Sequence, residues 1–305
     1  MVIDKKPTLL CVVGATAIGK TALAIKLAQH FSAEILSADS RQFYKEMKIG
    51  TAAPTPEELS QATHHFVHNK SIHDTYTVGD FEKEAIQFLT SYFKSNEYAI
   101  LVGGSGLYID AVVCGLNTFP EVKEGVRESL EQRLKNEGIE TLQKELKEKD
   151  LVYFNSVDIK NPRRLIRALE VIKSSGKPYS SFRKGMNTQR EFNTIFIGLD
   201  ADRSIIYDRI NRRVDIMVEE GLIEEAKKLY KFKELNALQT VGYRELFQSF
   251  DGTISQDFAI SEIKKNSRRF AKRQGTWFKK NEEISWYDYL TPAENIIQDI
   301  IKKAP

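Results

Sequence analysis

Leu9-Leu10-Cys11-Val12-Val13 is an uninterrupted apolar run, the pattern of a strand buried on both faces in a parallel sheet. The period changes directly after Gly14–Thr21. Ala24, Leu27, Ala28 and Phe31 fall at i, i+3, i+4 and i+7, which predicts a helix with one apolar face. Short apolar runs return at Ala33–Ser37, Tyr98–Val102 and Thr194–Leu199, each predicting a further strand. Between the second and third, Thr77-Val78-Gly79-Asp80 has the spacing of a capping box, and Phe81, Ala85, Phe88 and Tyr92 continue it as a helix. A helix also follows Leu107. Strands alternating with helices predict an α/β fold on a parallel sheet. From Leu116 the character is helical throughout, with Val126, Leu130 and Leu134 spaced along a densely charged stretch. The expected organisation is a parallel-sheet core at 1–115 and 193–305, interrupted by an all-α insertion at 116–192. C-terminal helices are expected from Arg203 to Tyr230 and from about Ser255 to Lys280, with a turn at Gly242.

Composition changes this picture little. With 305 residues, 41% hydrophobic and 29% charged, the chain has ample material for a core. No apolar run approaches the ~18 residues of a membrane span. Met1–Pro7 leads into the first strand without the features of a signal peptide. Two cysteines, Cys11 and Cys114, are too few for a disulfide framework, and both sit in apolar surroundings that suit buried thiols. A cytoplasmic protein is expected, and nothing calls for an obligatory protein partner or more than a monomer. Charge matters through its distribution. Lys264–Lys280 holds eight basic residues and no acid, and Lys160–Lys184 holds eight against Glu170 alone. Two basic segments far apart in sequence suggest one polyanion held at two places, although either alone also reads as a solvated helix face.

The chemistry starts at Gly14-Ala15-Thr16-Ala17-Ile18-Gly19-Lys20-Thr21, which fits G-x-x-x-x-G-K-[ST] between a predicted strand and helix, so the expected α/β core is P-loop NTPase-like. Loop N–H groups and the positive helix end form an anion site; Lys20 can reach a terminal phosphate and the Thr21 hydroxyl can ligate Mg²⁺. Asp39, beyond the second strand, should lie at the same rim. It can hold Mg²⁺ through water, accept a proton, or cap the next helix. Gly103-Gly104-Ser105-Gly106 ends the third strand and brings a hydroxyl to that rim. His64, His65, His68 and His73 cluster, but with no nearby cysteine and no tetrahedral spacing they suit loop packing or phosphate contact better than zinc.

Together with Asp39-Ser40-Arg41-Gln42-Phe43-Tyr44, Gly103–Tyr108 and the closing Arg268-Arg269-Phe270-Ala271-Lys272-Arg273-Gln274-Gly275-Thr276-Trp277-Phe278, the P-loop resembles the tRNA dimethylallyltransferases, also called tRNA isopentenyltransferases. The resemblance extends to Ile49–Ala52, His64-His65, Asn161–Glu170 and Val241–Glu245. It implies transfer of a dimethylallyl group from dimethylallyl diphosphate to the exocyclic amine of the adenosine at tRNA position 37, with Mg²⁺ as cofactor and diphosphate as leaving group. It further implies Asp39 as general base, Ser105 beside the bridging oxygen where many members carry threonine, and Arg213 on the diphosphate, with Arg209 a weaker candidate. Thr16 and Gly19 to Thr21 would hold diphosphate. Asp39, Ser40, Arg41 and Gln42, and the run Arg163-Arg164-Leu165-Ile166-Arg167, would touch tRNA. Ala15 stands where proline is common in the family. Ile18 replaces a small residue and would narrow the prenyl side of the pocket.

Three other readings follow from the same residues. An adenylate isopentenyltransferase would prenylate free AMP, ADP or ATP, but needs neither basic segment. The P-loop alone suggests an ATP-binding kinase, for which no lid signature is visible. An RNA-binding module with a vestigial P-loop fits poorly with the intact Lys20, Thr21, Asp39 and Ser105.

Overall fold

A computed structural model describes residues 6–183, 185 and 188–304. The N-terminal residues Met1–Lys5 and the last basic residue of the central segment, Lys184, therefore lie outside the described residues. Among the described residues six strands form one sheet: β1 (Thr8–Gly14), β2 (Ile35–Ser37), β3 (His64–His65), β4 (Tyr98–Val102), β5 (Asn193–Asp200) and β6 (Ser285–Asp288). Their order is β3-β2-β4-β1-β5-β6, and every pairing is parallel. β1 is central, with each of its residues buried, which is why its sequence is apolar without alternation.

Helices cover both sheet faces. α1 (Lys20–Phe31), α2 (Pro56–Gln61), α3 (Val78–Tyr92) and α4 (Gly106–Cys114) accompany the first four strands. α1 buries Leu23, Ala24, Leu27 and Ala28 with Leu10, Val12 and Ile35; α3 buries Phe81, Ala85 and Leu89 on the other face with Leu9, Cys11 and Leu101. Each large side chain so buried contributes about 1.5–3 kcal/mol of transfer free energy. The capping box of α3 is present as the spacing predicts: Asp80 N–H donates to the Thr77 hydroxyl and Thr77 N–H to the Asp80 carboxylate. Cys11 is buried as expected, whereas Cys114, at the end of α4, is only half-buried.

Among the described residues the chain divides into two compact units, Met1–Val113 with Gln189–Pro305, and Cys114–Thr188. The second contains α5 (Val126–Glu137), α6 (Ile139–Lys149), α7 (Leu151–Ser156) and α8 (Pro162–Ser175), around a core of Leu130, Leu142, Leu146, Leu165 and Leu169. Asp150 anchors this unit. Its buried carboxylate accepts from Tyr153 N–H at the start of α7 (2.9 Å), and from Ser180 N–H (2.7 Å) and Ser180 hydroxyl (2.8 Å).

Within the first unit the C-terminal part differs from expectation in two places. The helix expected from Arg203 to Tyr230 is broken into α9 (Arg203–Glu219) and α10 (Leu222–Leu229). Gly221 sits between them with φ of 101°, a left-handed conformation that a helix interior cannot hold. After α11 (Tyr243–Phe250) and α12 (Gln256–Phe278), which Ser255 caps, the chain adds β6 and α13 (Ala293–Lys303). Neither was anticipated. α13 buries Ile296, Ile297 and Ile300 against the α1 side of the sheet.

Candidate active site

The P-loop turns from β1 into α1 at the carboxyl edge of the sheet, and the segments after β2 and β4 meet it there. A cavity of about 620 Å³ opens at this edge, lined by Thr16, Lys20, Thr21, Asp39 and Arg213 among others. A smaller one of about 120 Å³ shares Thr16, Asp39, Thr51, Arg213 and Met217 with it, and adds an apolar cluster of Ile210, Val214, Leu222 and Ile263 beside the polar Ser40, Arg41, Thr240 and Ser267. Asp39 and Arg213 thus border both spaces. Residues distant in sequence are together here because parallel strands deliver their following loops to one edge.

Each wall is held by specific bonds. Lys20 Nζ donates to Ala15 O across the loop (2.8 Å). Arg209 and Arg213, one turn apart on α9, reach the loop from outside: Arg209 Nε donates to Ala17 O (2.7 Å), and Arg213 Nη2 to the Thr16 hydroxyl. The Thr16 N–H donates to Gln274 Oε1 on α12 (2.8 Å). The Thr16 N–H is therefore engaged by protein, while its hydroxyl, accepting from Arg213, keeps its own O–H to donate into the cavities that Thr16 lines. Ile18 is displaced from expectation. It is buried with Ala24 and Leu27 in the sheet core and lines neither cavity, so it does not narrow them.

Charge at the floor is costly and partly compensated. Burial pushes the Lys20 ammonium down from 10.5 to about 8, opposed by the Asp39 carboxylate and reinforced by Arg213. Burial likewise disfavours the Arg213 guanidinium, with Asp39 restoring part of the loss and Arg209 adding to it. A buried, under-compensated cationic pair is a ready counter-charge for an anionic ligand.

Asp39 does not cap a helix. The chain after it turns, and Arg41 N–H donates to Asp39 Oδ1 (3.1 Å). Ser40 N–H donates to the Ser105 hydroxyl (3.2 Å), joining the loop after β2 to the turn after β4. Ser105 lies against this junction rather than among the residues lining either cavity. Two residues expected at a tRNA surface have structural employment. Arg41 Nη1 donates to the carbonyls of Asn236 and Ala237 (both 3.1 Å), and Gln42 bridges the Ser37 hydroxyl (3.0 Å) and Ala52 O (3.0 Å). In the helical unit, Leu165 and Ile166 are core residues, because α8 turns that face inward. Arg167 pairs with buried Glu170 (3.6 Å), which leaves Arg163 and Arg164 as the exposed basic residues of that run.

Two motifs that had no assigned role meet at Glu225 on α10. Its carboxylate accepts the N–H groups of Lys48, Ile49 and Gly50 (2.9–3.0 Å) and the Tyr243 hydroxyl (2.6 Å), pinning a wall of the larger cavity to α10 and α11. The four histidines form no metal site; among the described residues no group of three His, Cys, Asp or Glu could hold an ion. His65 pairs with Glu34 (2.6 Å), His73 stands edge-on to Phe232, and His64 lines the larger cavity. Glu225 and Gln274 were not picked out individually from sequence. For Gln274 a signal existed: Ile263, Ala271, Gln274 and Phe278 mark the buried stripe of α12, so a polar residue falls on an apolar face.

Along α12 the basic segment divides by environment. Lys264 pairs with Asp215 (2.5 Å) and Arg268 with Asn211 (2.6 Å), while Arg269, Lys272, Arg273 and Lys280 are exposed beside the exposed rings of Phe270 and Trp277. Basic side chains interleaved with aromatics suit a nucleic-acid surface.

A family model described as IPP transferase matches residues 42–281. The chain is 54% identical over 301 residues to a tRNA dimethylallyltransferase of Flavobacterium psychrophilum, covering 97% of this chain and 98% of the relative. It is 56% identical over 295 residues to one of Christiangramia forsetii, with the same coverage. The crystal structure of a tRNA isopentenylpyrophosphate transferase from Bacillus halodurans superposes with a TM-score of 0.72 at 38% identity, covering 98% of this chain and 95% of that one. The chain belongs to the IPP transferase family.

Proposed function

We propose that the protein transfers a dimethylallyl group from dimethylallyl diphosphate to the exocyclic amine of the adenosine at tRNA position 37, releasing diphosphate. The observation that carries this reading is the shared lining of two adjoining cavities by Asp39 and Arg213, one cavity holding Lys20 and Thr21 of the P-loop and the other adding the apolar side chains of Ile210, Val214, Leu222 and Ile263. The diphosphate belongs at the P-loop end. As the amine nitrogen bonds to the allylic carbon, that carbon's bond to oxygen breaks and negative charge grows on the leaving diphosphate. Lys20, the remaining loop N–H groups and Arg213 meet that charge, while the Ser105 hydroxyl, which accepts from Ser40 N–H, holds the Asp39 loop beside them. Asp39 takes the proton that the amine loses.

Thr21 and Asp39 offer oxygen donors to one cavity, a set that suits Mg²⁺, which prefers oxygen and keeps waters and phosphate ligands. Thr21 would hold it; bound, it would supply further neutralisation of diphosphate charge. Arg163, Arg164 and the exposed basic face of α12 would hold tRNA, and a cytoplasmic location fits that substrate. No helix among the described residues is long and apolar enough to cross a membrane. Mass spectrometry of anticodon-loop nucleosides, from cells with and without the protein, tests the reading. A dimethylallyl mass on position 37 only when the protein is present is expected; its absence would refute it.

A further inference from the structure

We propose that Gln274 is a positioning residue that fixes the P-loop against the turn after β4 and thereby sets the affinity of the cradle for diphosphate. The inference rests on the proposed diphosphate site but not on the acceptor. Gln274 is buried on α12, and its amide makes two bonds of opposite sense: Oε1 accepts the Thr16 N–H (2.8 Å) and Nε2 donates to Gly104 O (3.0 Å). Both partners are main-chain groups of fixed polarity, so the orientation of the amide is determined by chemistry.

The surrounding backbone is built around this side chain. A Cβ added at Gly104 would lie 2.1 Å from Gln274 Nε2, so only glycine lets the amide come this close. From its two contacts the amide reaches the rest of the site at one remove. Thr16 carries the Arg213 bond on its hydroxyl, and Ser105, next to Gly104, holds Ser40 beside Asp39. Gln274 also takes the Thr16 N–H out of the set available to a phosphate. The N–H donors left to the ligand are then those from Ala17 to Thr21, held by a loop that cannot drift toward the turn. Neither cavity includes Gln274 in its lining, which separates this role from ligand contact.

Calorimetric titration with inorganic diphosphate in Mg²⁺ buffer tests the proposal on the full chain, from about pH 5 to about pH 8. Gln274→Met keeps the length and loses both bonds, and should weaken diphosphate binding ~10-fold at every pH. Gln274→Glu is diagnostic. Its carboxylate can accept from Thr16 but repels Gly104 O, whereas the protonated acid reproduces both bonds of the amide. Burial raises the pKa of such a carboxyl. The affinity ratio of Gln274→Glu to wild type should therefore climb toward one as pH falls. A ratio independent of pH, or a Met variant within ~2-fold of wild type, would overturn the proposal. If the Met variant does not fold, the Glu profile decides alone. Diphosphate binding that follows this profile in a protein without prenyl transfer would refute the proposed reaction and leave the role of Gln274 standing.

Discussion

Raising the pH should weaken donor binding through one residue, Lys20. In the ligand-free protein burial holds this ammonium at about 8, against an ordinary 10.5. A diphosphate beside it favours the charged form and restores the ordinary value or more. Only the protonated lysine meets the anion, so affinity is full below pH 8 and falls as pH rises through it. About nine-tenths of Lys20 is charged at pH 7 and about one-tenth at pH 9, which predicts a ~10-fold loss between them. The limit, for a full 2.5-unit difference, is ~300-fold above pH 10.5. Calorimetry with dimethylallyl diphosphate, referenced to Lys20→Met, isolates the effect, since the variant lacks the titrating group and should bind weakly with a flat profile. Stability has the opposite sign. The unfolded chain holds a proton on Lys20 between pH 8 and 10.5 that the folded chain has released. Ligand-free wild type should therefore gain on Lys20→Met as pH rises, by on the order of 3 kcal/mol at most. A wild-type binding profile parallel to that of Lys20→Met would refute the reasoning.

Asp39→Ala should abolish transfer while tRNA affinity stays within a few-fold; turnover at the wild-type rate would remove Asp39 from the chemistry. Ser105→Thr keeps the hydroxyl that Ser40 N–H donates to and should remain active, whereas Ser105→Ala should lower kcat by about 10-fold or more in steady-state assays. Replacing Arg163 and Arg164 together by alanine should weaken tRNA binding and reduce the slope of log affinity against log salt by about 1 to 2, read by filter binding across a salt series. Asp150→Ala removes three accepted bonds inside the helical unit and should cost about 2–4 kcal/mol there by denaturant titration.

What the sequence could convey was set by locality. The P-loop, the stripe of α1 and the capping box of α3 each lie within one short window, and the structure contains all three. β6 spans four residues, Ser285–Asp288, at the sheet edge with half-exposed side chains, so no apolar run announces it. The break at Gly221 is a single residue inside an otherwise continuous helical pattern. Partner assignments were less accessible still. That Arg41 is spent on two carbonyls of a distant turn, or that Ile18 faces the core instead of the ligand, depends on contacts across nearly two hundred residues for the first and on loop conformation for the second. Leu165 and Ile166 could have been separated from their arginine neighbours by helical periodicity alone, since they fall on the face that Leu169 and Ile172 continue.

The central claim is that the P-loop serves here as a cradle for a leaving group and not as a site of phosphoryl transfer. Its most direct test is the stoichiometry of products when purified protein is given dimethylallyl diphosphate and unmodified tRNA with Mg²⁺, with AMP as a parallel acceptor. One diphosphate released for each dimethylallyl group joined to tRNA, and no transfer to AMP, is the predicted result. Inorganic phosphate as the released product, or prenylated AMP with unmodified tRNA, would contradict it.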